Sequence, residues 1–163
     1  MHTRKTLFSD LDRVMEILSA ARNTMREAGT TVQWVNGYPS RELIESDIER
    51  GVGYVIEHEG RLVASFAFIL GNDPTYARID GAWLNDRPYG TIHRIGSDGS
   101  ARGVMSEALR FCSTLCPNIR IDTHETNARM RAVLAKNGFT ECGTIYIEDG
   151  TPRVAYQKLY EEQ

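Results

Sequence analysis

The chain has no apolar run approaching the roughly 18–20 residues that span a bilayer, so its pattern holds no transmembrane helix and no membrane partner is expected. Cysteine is scarce. Cys112, Cys116 and Cys142 are too few for a disulfide framework, and the four histidines are scattered, so no metal site can be read from ligand spacing. Cys112 and Cys116 share a face of an expected helix, and free thiols buried in a reducing compartment account for all three. An excess of one charge is missing too: 19 basic against 22 acidic side chains leave a net charge of −3 over 163 residues. That balance argues against a nucleic-acid partner. There is no repeat, low-complexity tract or linker, and the opening segment MHTRKTLFSD has no apolar signal-peptide core. The expectation is a cytoplasmic protein with one domain over residues 1–163, long enough to bury a substantial core.

What is present mixes helical and strand periods. A strand near Arg4–Leu7 precedes a helix over Leu11–Glu27, capped by Asp10 and ended by Gly29, with Leu11, Val14, Met15, Leu18 and Ala21 as its apolar stripe. Residues 29–39 read as irregular, and Ser40 caps a short helix to Arg50. Gly53–His58 and Arg61–Leu70 form a hairpin across Glu59-Gly60. The stretch from Gly71 to Gly90 holds two prolines with Tyr76, Trp83 and Tyr89; a connection so long and aromatic reads as a binding loop. Beyond it come a strand Thr91–Ile95, a helix Arg102–Leu115 and a strand Ile119–Thr123. A helix over Asn127–Asn137 follows, with Asn127 as N-cap and Gly138 as its stop. Strands near Thr140–Ile147 and Arg153–Lys158 close the chain around Glu148-Asp149-Gly150.

The segment Ile92–Leu109, IHRIGSDGSARGVMSEAL, runs strand, glycine-bearing loop, helix. The first turn of a helix leaves N–H groups without internal partners, and with the helix dipole these attract anions, phosphates above all. Gly103 lets a ligand approach the backbone. A dinucleotide reading fails here: Gly96, Gly99 and Gly103 miss the G-x-G-x-x-G spacing, and the order of elements is not that of a doubly wound nucleotide fold.

At these residues the chain resembles the GNAT family, the GCN5-related N-acetyltransferases. The family's phosphate loop reads Gln/Arg, two residues, Gly, one residue, then Gly/Ala. Here Ser100 holds the first slot, Gly103 matches, and Met105 replaces the small residue. Downstream, Asn127, an apolar helix, Lys136 and Gly138-Phe139 follow the family's Asn…Lys-x-Gly-Phe pattern. The resemblance implies an α/β fold of the α+β type: a mixed, mostly antiparallel, twisted sheet of about seven strands flanked by about four helices, splayed after the fourth strand. It also implies acetyl-CoA as co-substrate and no metal. The pantetheine would pair along His93, Arg94 and Ile95. The diphosphate would rest on the N–H groups of Ala101, Arg102, Gly103, Val104, Met105 and Ser106, with the Ser106 hydroxyl as a further donor and Asn127 contacting the cofactor. The Met105 side chain then has to point away from the phosphates.

The implied activity is direct acetyl transfer to an amine of a small molecule or peptide. It needs an ammonium deprotonated, a thioester carbonyl polarised, and a thiolate stabilised or protonated. Backbone N–H groups near Arg94 and Ile95 suit the carbonyl. The family often carries a tyrosine acid on the helix after Asn127, and that slot holds Leu134. His93 shares a strand face with Thr91 and Tyr89 and is a candidate base, with an ordinary imidazole value near 6.5 suited to neutral pH; a packed core histidine is the other reading. His124, in a polar strand end, is a second candidate. Tyr146 is a replacement acid, and solvent is a further proton source. Trp34, Tyr38, Trp83 and Tyr89, with Tyr76, are candidates to wall the acceptor site, or are simply core. Asp80, Asn85, Asp86 and Glu125 could orient a cationic amine or lie on solvated surface. The alternative to an enzyme is an acyl-CoA-binding module of the same fold without efficient catalysis. Family members often pair through late strands, so a homodimer is allowed.

Overall fold

The structure is a computed structural model describing residues 1–161. Eight strands form one sheet in the order β1-β2-β3-β5-β6-β8-β7-β4. In chain order they are β1 (His2–Lys5), β2 (Gly53–His58), β3 (Arg61–Leu70), β4 (Asp80–Gly81), β5 (Gly90–Ser97), β6 (Asn118–Thr123), β7 (Thr140–Tyr146) and β8 (Pro152–Leu159). Four α-helices flank them: α1 (Leu11–Glu27), α2 (Arg41–Glu49), α3 (Val104–Leu115) and α4 (Ala128–Lys136). Neighbouring strands are antiparallel except β5 and β6. Among the described residues no helix is long and apolar enough to cross a membrane.

Each face of the sheet buries a different stripe. Leu11, Val14, Leu18 and Ala21 of α1 and Ile44 of α2 pack against Val55, as the helical period required. On the opposite face Met105, Ala108, Leu109 and Cys112 of α3 join Leu134 of α4 over Ile56, Phe66, Ile119 and Ile121. A third cluster forms where the connection between β3 and β5 folds back over the C-terminal strands, bringing Tyr76 and Tyr89 onto Ile145 and Ala155. Polar side chains fasten that connection. The Gln157 carbonyl oxygen accepts from the Leu84 N–H at 2.8 Å, and Asn118 donates to Asn85 at 2.9 Å.

Several boundaries differ from those expected. The first strand ends before Thr6, because Phe8–Asp10 turn into a 3₁₀ segment. Asp10 makes no side-chain cap on α1; its carboxylate accepts from the Leu7 N–H at 2.7 Å and from Arg4 at 2.8 and 3.0 Å. Helix α3 starts at Val104 rather than Arg102, since Gly103 is left-handed at φ +81° and cannot lie inside a right-handed helix. Cys116 is extended and off the helix, so it does not share a helical face with Cys112. The eighth strand, β4, was missed because two residues carry no period. It exists because Gly81 and Gly143 face each other: a Cβ on either would strike the opposite backbone, at the Cys142 or the Asp80 carbonyl.

Two features of β5 shape the site. From Ser65↔Gly96 to Ala67↔His93, β5 advances three residues (93 to 96) while β3 advances two (65 to 67). This is a β-bulge, and it leaves Arg94 left-handed at φ +47°. The alternation read from the sequence therefore holds up to His93 and is broken after it. On its other side β5 pairs with β6 only at Gly90↔Ile119 and Thr91↔Arg120, after which the strands part. That is the expected splay, and it lies between β5 and β6.

Candidate active site

The cavity at the splay has a volume of ≈ 520 Å³. Its floor is the bulged part of β5, Ile92 to Ile95, facing Ile121, Asp122 and Thr123 of β6. The irregular segment after α1 forms one wall through Gln33, Trp34, Val35 and Tyr38; Asp73, Thr75 and Arg153 stand on the other side. Gln33 holds the first wall in place: its side-chain oxygen accepts from the Thr123 hydroxyl, the His124 N–H and the Asn127 amide, each at 3.3 Å.

His93 is half-buried in this cavity, and its Nε2 lies 2.8 Å from Asp73 Oδ2. The second Asp73 oxygen accepts from the Thr75 N–H at 2.9 Å and its hydroxyl at 2.7 Å. Burial works against the Asp73 charge, but the bonds from His93 and Thr75 outweigh it and bring the carboxyl down to about 2. An ionised Asp73 can only accept, so the proton shared by the pair sits on Nε2. Next to this pair, burial pushes the Asp122 carboxyl upward although it accepts from the Tyr76 hydroxyl at 2.6 Å. Arg94 is the opposite case. Burial disfavours its charge, yet two bonds of 2.8 Å to Asp47 hold it protonated and clamp the bulge.

Not every expected residue is here. Trp34 and Tyr38 line the cavity, but Trp83 and Tyr89 do not. Those two sandwich the Arg120 guanidinium, 4.1 and 3.9 Å from their ring centres, and serve packing. Tyr146 is exposed, and its hydroxyl donates to Asp80 at 2.6 Å away from the cavity lining. His124 is tied into the turn after β6, where its Nδ1 accepts from the Thr126 N–H at 3.1 Å; burial and Arg153 both lower its basicity. Asn85, Asp80, Asp86 and Glu125 are likewise off the lining. Leu134 has no exposed surface and packs among Met105, Ile119 and Ile121.

The loop into α3 is arranged as an open donor array. The first helical bond runs from the Glu107 N–H to the Gly103 carbonyl at 3.0 Å, so the N–H groups of Val104, Met105 and Ser106 point out of the helix end. Asp98 ties down the preceding turn through the Ser100 N–H and hydroxyl, at 2.9 and 2.6 Å. Met105 is buried in the core and so does turn away from the loop. The Ser106 hydroxyl is engaged, donating to Asn137 at 3.1 Å. Asn127 is engaged too: its oxygen caps α4 at the Met130 N–H, 3.1 Å, while its amide reaches Gln33.

One similar solved structure decides the kinship: an acetyltransferase of the GNAT family from Streptococcus agalactiae, 33% identical over 99% of this chain and 96% of that one, with a TM-score of 0.90. The chain belongs to the GNAT family of acetyltransferases. Two more distant structures share the fold. A GNAT-family acetyltransferase from Listeria monocytogenes is 21% identical, covering 97% of this chain and 94% of that one at a TM-score of 0.71. A ribosomal-protein-alanine N-acetyltransferase from Brucella melitensis is 18% identical, covering 98% and 99% at a TM-score of 0.60. No family sequence model and no curated protein matches the chain.

Within this GNAT chain, Asp73, Thr75, Asp122 and Arg153 are the cavity residues that sequence reasoning missed. Asp73-Pro74-Thr75 is visible as a turn signal, but its partnership with His93 is a tertiary fact. Asp122 had no such signal: Ile119-Arg120-Ile121-Asp122-Thr123 alternates apolar and polar, which puts Asp122 on the polar face with Arg120.

Proposed function

We propose that this protein is a single-domain N-acetyltransferase that uses acetyl-CoA and deprotonates its amine acceptor with His93. The observation that carries the proposal is the His93–Asp73 pair standing in the cavity where β5 leaves β6.

The residues present suit the co-substrate. The donor array of Val104, Met105 and Ser106, with the left-handed Gly103 and the loop residues Ala101 and Arg102 before it, would hold a diphosphate. Past Thr91, the β5 edge facing the splay has no strand partner and would pair with an extended amide chain along His93, Arg94 and Ile95. Bound acetyl-CoA supplies an acetyl group already activated as a thioester.

The protein's own groups then divide the work. Asp73 fixes the imidazole tautomer so that Nδ1 takes a proton from the acceptor ammonium. Backbone N–H groups of Arg94 and Ile95, in the bulge that lines the cleft, would polarise the thioester carbonyl. Arg94, neutralised by Asp47, keeps that backbone in its left-handed shape without adding a free cation. Trp34, Val35 and Tyr38 exclude water on the acceptor side.

The test is release of free thiol from acetyl-CoA with a panel of primary amines, followed colorimetrically. Turnover that falls about 100-fold in kcat/KM for His93→Ala, with CoA affinity retained, is the expected result. Tight CoA binding without thiol release for any acceptor would move the protein to the binding-module reading.

A further inference from the structure

Arg153 opens β8 and is only 9% exposed, yet its guanidinium is only partly used. Nη1 donates to the Pro152 carbonyl at 2.8 Å and the Thr151 hydroxyl at 3.2 Å. Only Nη1 has an acceptor among the described residues, and Arg153 lines the cavity. No described carboxylate oxygen lies within 4.0 Å of it. Arg94, in the same cavity, shows what this edge of a guanidinium is suited to: its Nε and Nη2 take both oxygens of Asp47 at 2.8 Å each. A buried cation without such a partner is costly, and the Nε–Nη2 edge is a fork matched to a carboxylate.

The neighbouring acids do not fill the fork. Asp149 accepts the Thr151 N–H at 2.9 Å and its hydroxyl at 2.6 Å. Asp122, diagonal to Arg153 across β6 and β8, accepts the Tyr76 hydroxyl; burial disfavours its charge, and the attraction of Arg153 offsets this only in part. His124, close enough for the Arg153 charge to lower its basicity, is bound to Thr126. The anion is also not expected from CoA, since none of Ala101 to Ser106 lines this cavity.

We infer that Arg153 is the carboxylate-binding residue of the acceptor site, so that the acceptor is an amino-carboxylate whose amine meets His93 and whose carboxylate meets the free edge of Arg153. This rests on reading the cavity as the acceptor site. At ≈ 520 Å³ the space exceeds a bare amino-carboxylate, and Val32, Trp34 and Val35 offer the remainder an apolar wall.

Two arms test it. In the first, thiol release from acetyl-CoA is compared for leucine, methionine and phenylalanine, each against its carboxamide. The free acids are expected to exceed the amides at least about tenfold in kcat/KM, chiefly through KM. Arg153→Gln should bring that ratio close to one and leave CoA affinity unchanged; Arg153→Lys, which keeps the charge without the fork, should fall between. In the second arm, which needs no turnover, binding of N-acetyl-leucine and N-acetyl-leucinamide is measured by calorimetry with CoA present. Acid-selective binding abolished by Arg153→Gln supports the site even if no acceptor is acetylated, in which case the acetyl-transfer reading fails and this one stands. Equal acid and amide in both arms for the unmutated protein overturns it, whether or not the variants fold. A preference that survives in Arg153→Gln, or a loss confined to CoA affinity, overturns it as well.

Discussion

His93 Nε2 and Asp73 Oδ2 are 2.8 Å apart although twenty residues and a sheet crossing separate them. Under the proposed function the contact makes Asp73 a positioning residue: it touches His93, not the substrate. Asp73→Asn should therefore lower kcat/KM by about 10- to 100-fold, since an amide can present its NH2 to Nε2 and reverse the tautomer. KM for the acceptor and CoA affinity should move little. Steady-state kinetics of the two single variants and the His93→Ala, Asp73→Asn double variant would check this. If Asp73→Asn costs the same on the His93→Ala background as alone, Asp73 does not act through the imidazole.

The same contact sets a pH dependence of stability. The folded Asp73 carboxyl lies at about 2, below its ordinary 3.8. A carboxyl depressed on folding contributes stability that is present above its unfolded value and is lost as pH falls through the folded one. The difference in urea midpoint between the unmutated protein and Asp73→Asn should thus be constant above about pH 5 and shrink from about pH 4 towards pH 2. A difference that stays constant down to about pH 2.5 would show that the carboxylate's charge is not what Asp73 contributes.

Ser106 allows stability and cofactor binding to be pulled in opposite directions. It is exposed on the first turn of α3, where an added carboxylate interacts favourably with the helix dipole, by about 0.3–1 kcal/mol. Loss of its bond to Asn137 subtracts part of that gain. If the turn holds the CoA diphosphate, Ser106→Asp should weaken CoA at least about tenfold while leaving the thermal midpoint within a few degrees of the original. Unchanged CoA affinity, measured by calorimetry, would remove the cradle from the proposal.

Leu134 separates packing from catalysis. It is fully buried, so Leu134→Ala should destabilise the fold by about 2–5 kcal/mol in chemical denaturation. Leu134→Tyr adds bulk and a hydroxyl to a filled apolar cluster. It should lose stability and gain no turnover. A faster Leu134→Tyr enzyme would mean that the α4 position reaches the reacting atoms after all.

Much of this was legible beforehand because it is local. The extent of α1, the hairpin across Glu59-Gly60, the Ser40 cap and the Asn127 cap follow from periods, turn residues and, for α2 and α4, caps that act within a few positions. The donor array at α3 was legible for the same reason. The residues around the cavity at the splay were less so. Tyr89 and Trp83 look like any other aromatic wall until Arg120 is found between them, and Tyr146 looks like a spare acid until Asp80 takes its hydroxyl.

The amino-acid order by itself determined the alternation of strands and helices and the glycine-marked turn before α3. It also placed the stripe that α1 buries, because side-chain period and backbone preference are properties of a few adjacent residues. Only the tertiary structure decided that β5 bulges at Arg94 and leaves β6 after two pairs. It alone brought Asp73 to His93 and left Arg153 with acceptors on Nη1 only among the described residues. Those outcomes depend on which distant segments meet in a low-dielectric interior, where a charge must find its partner through space.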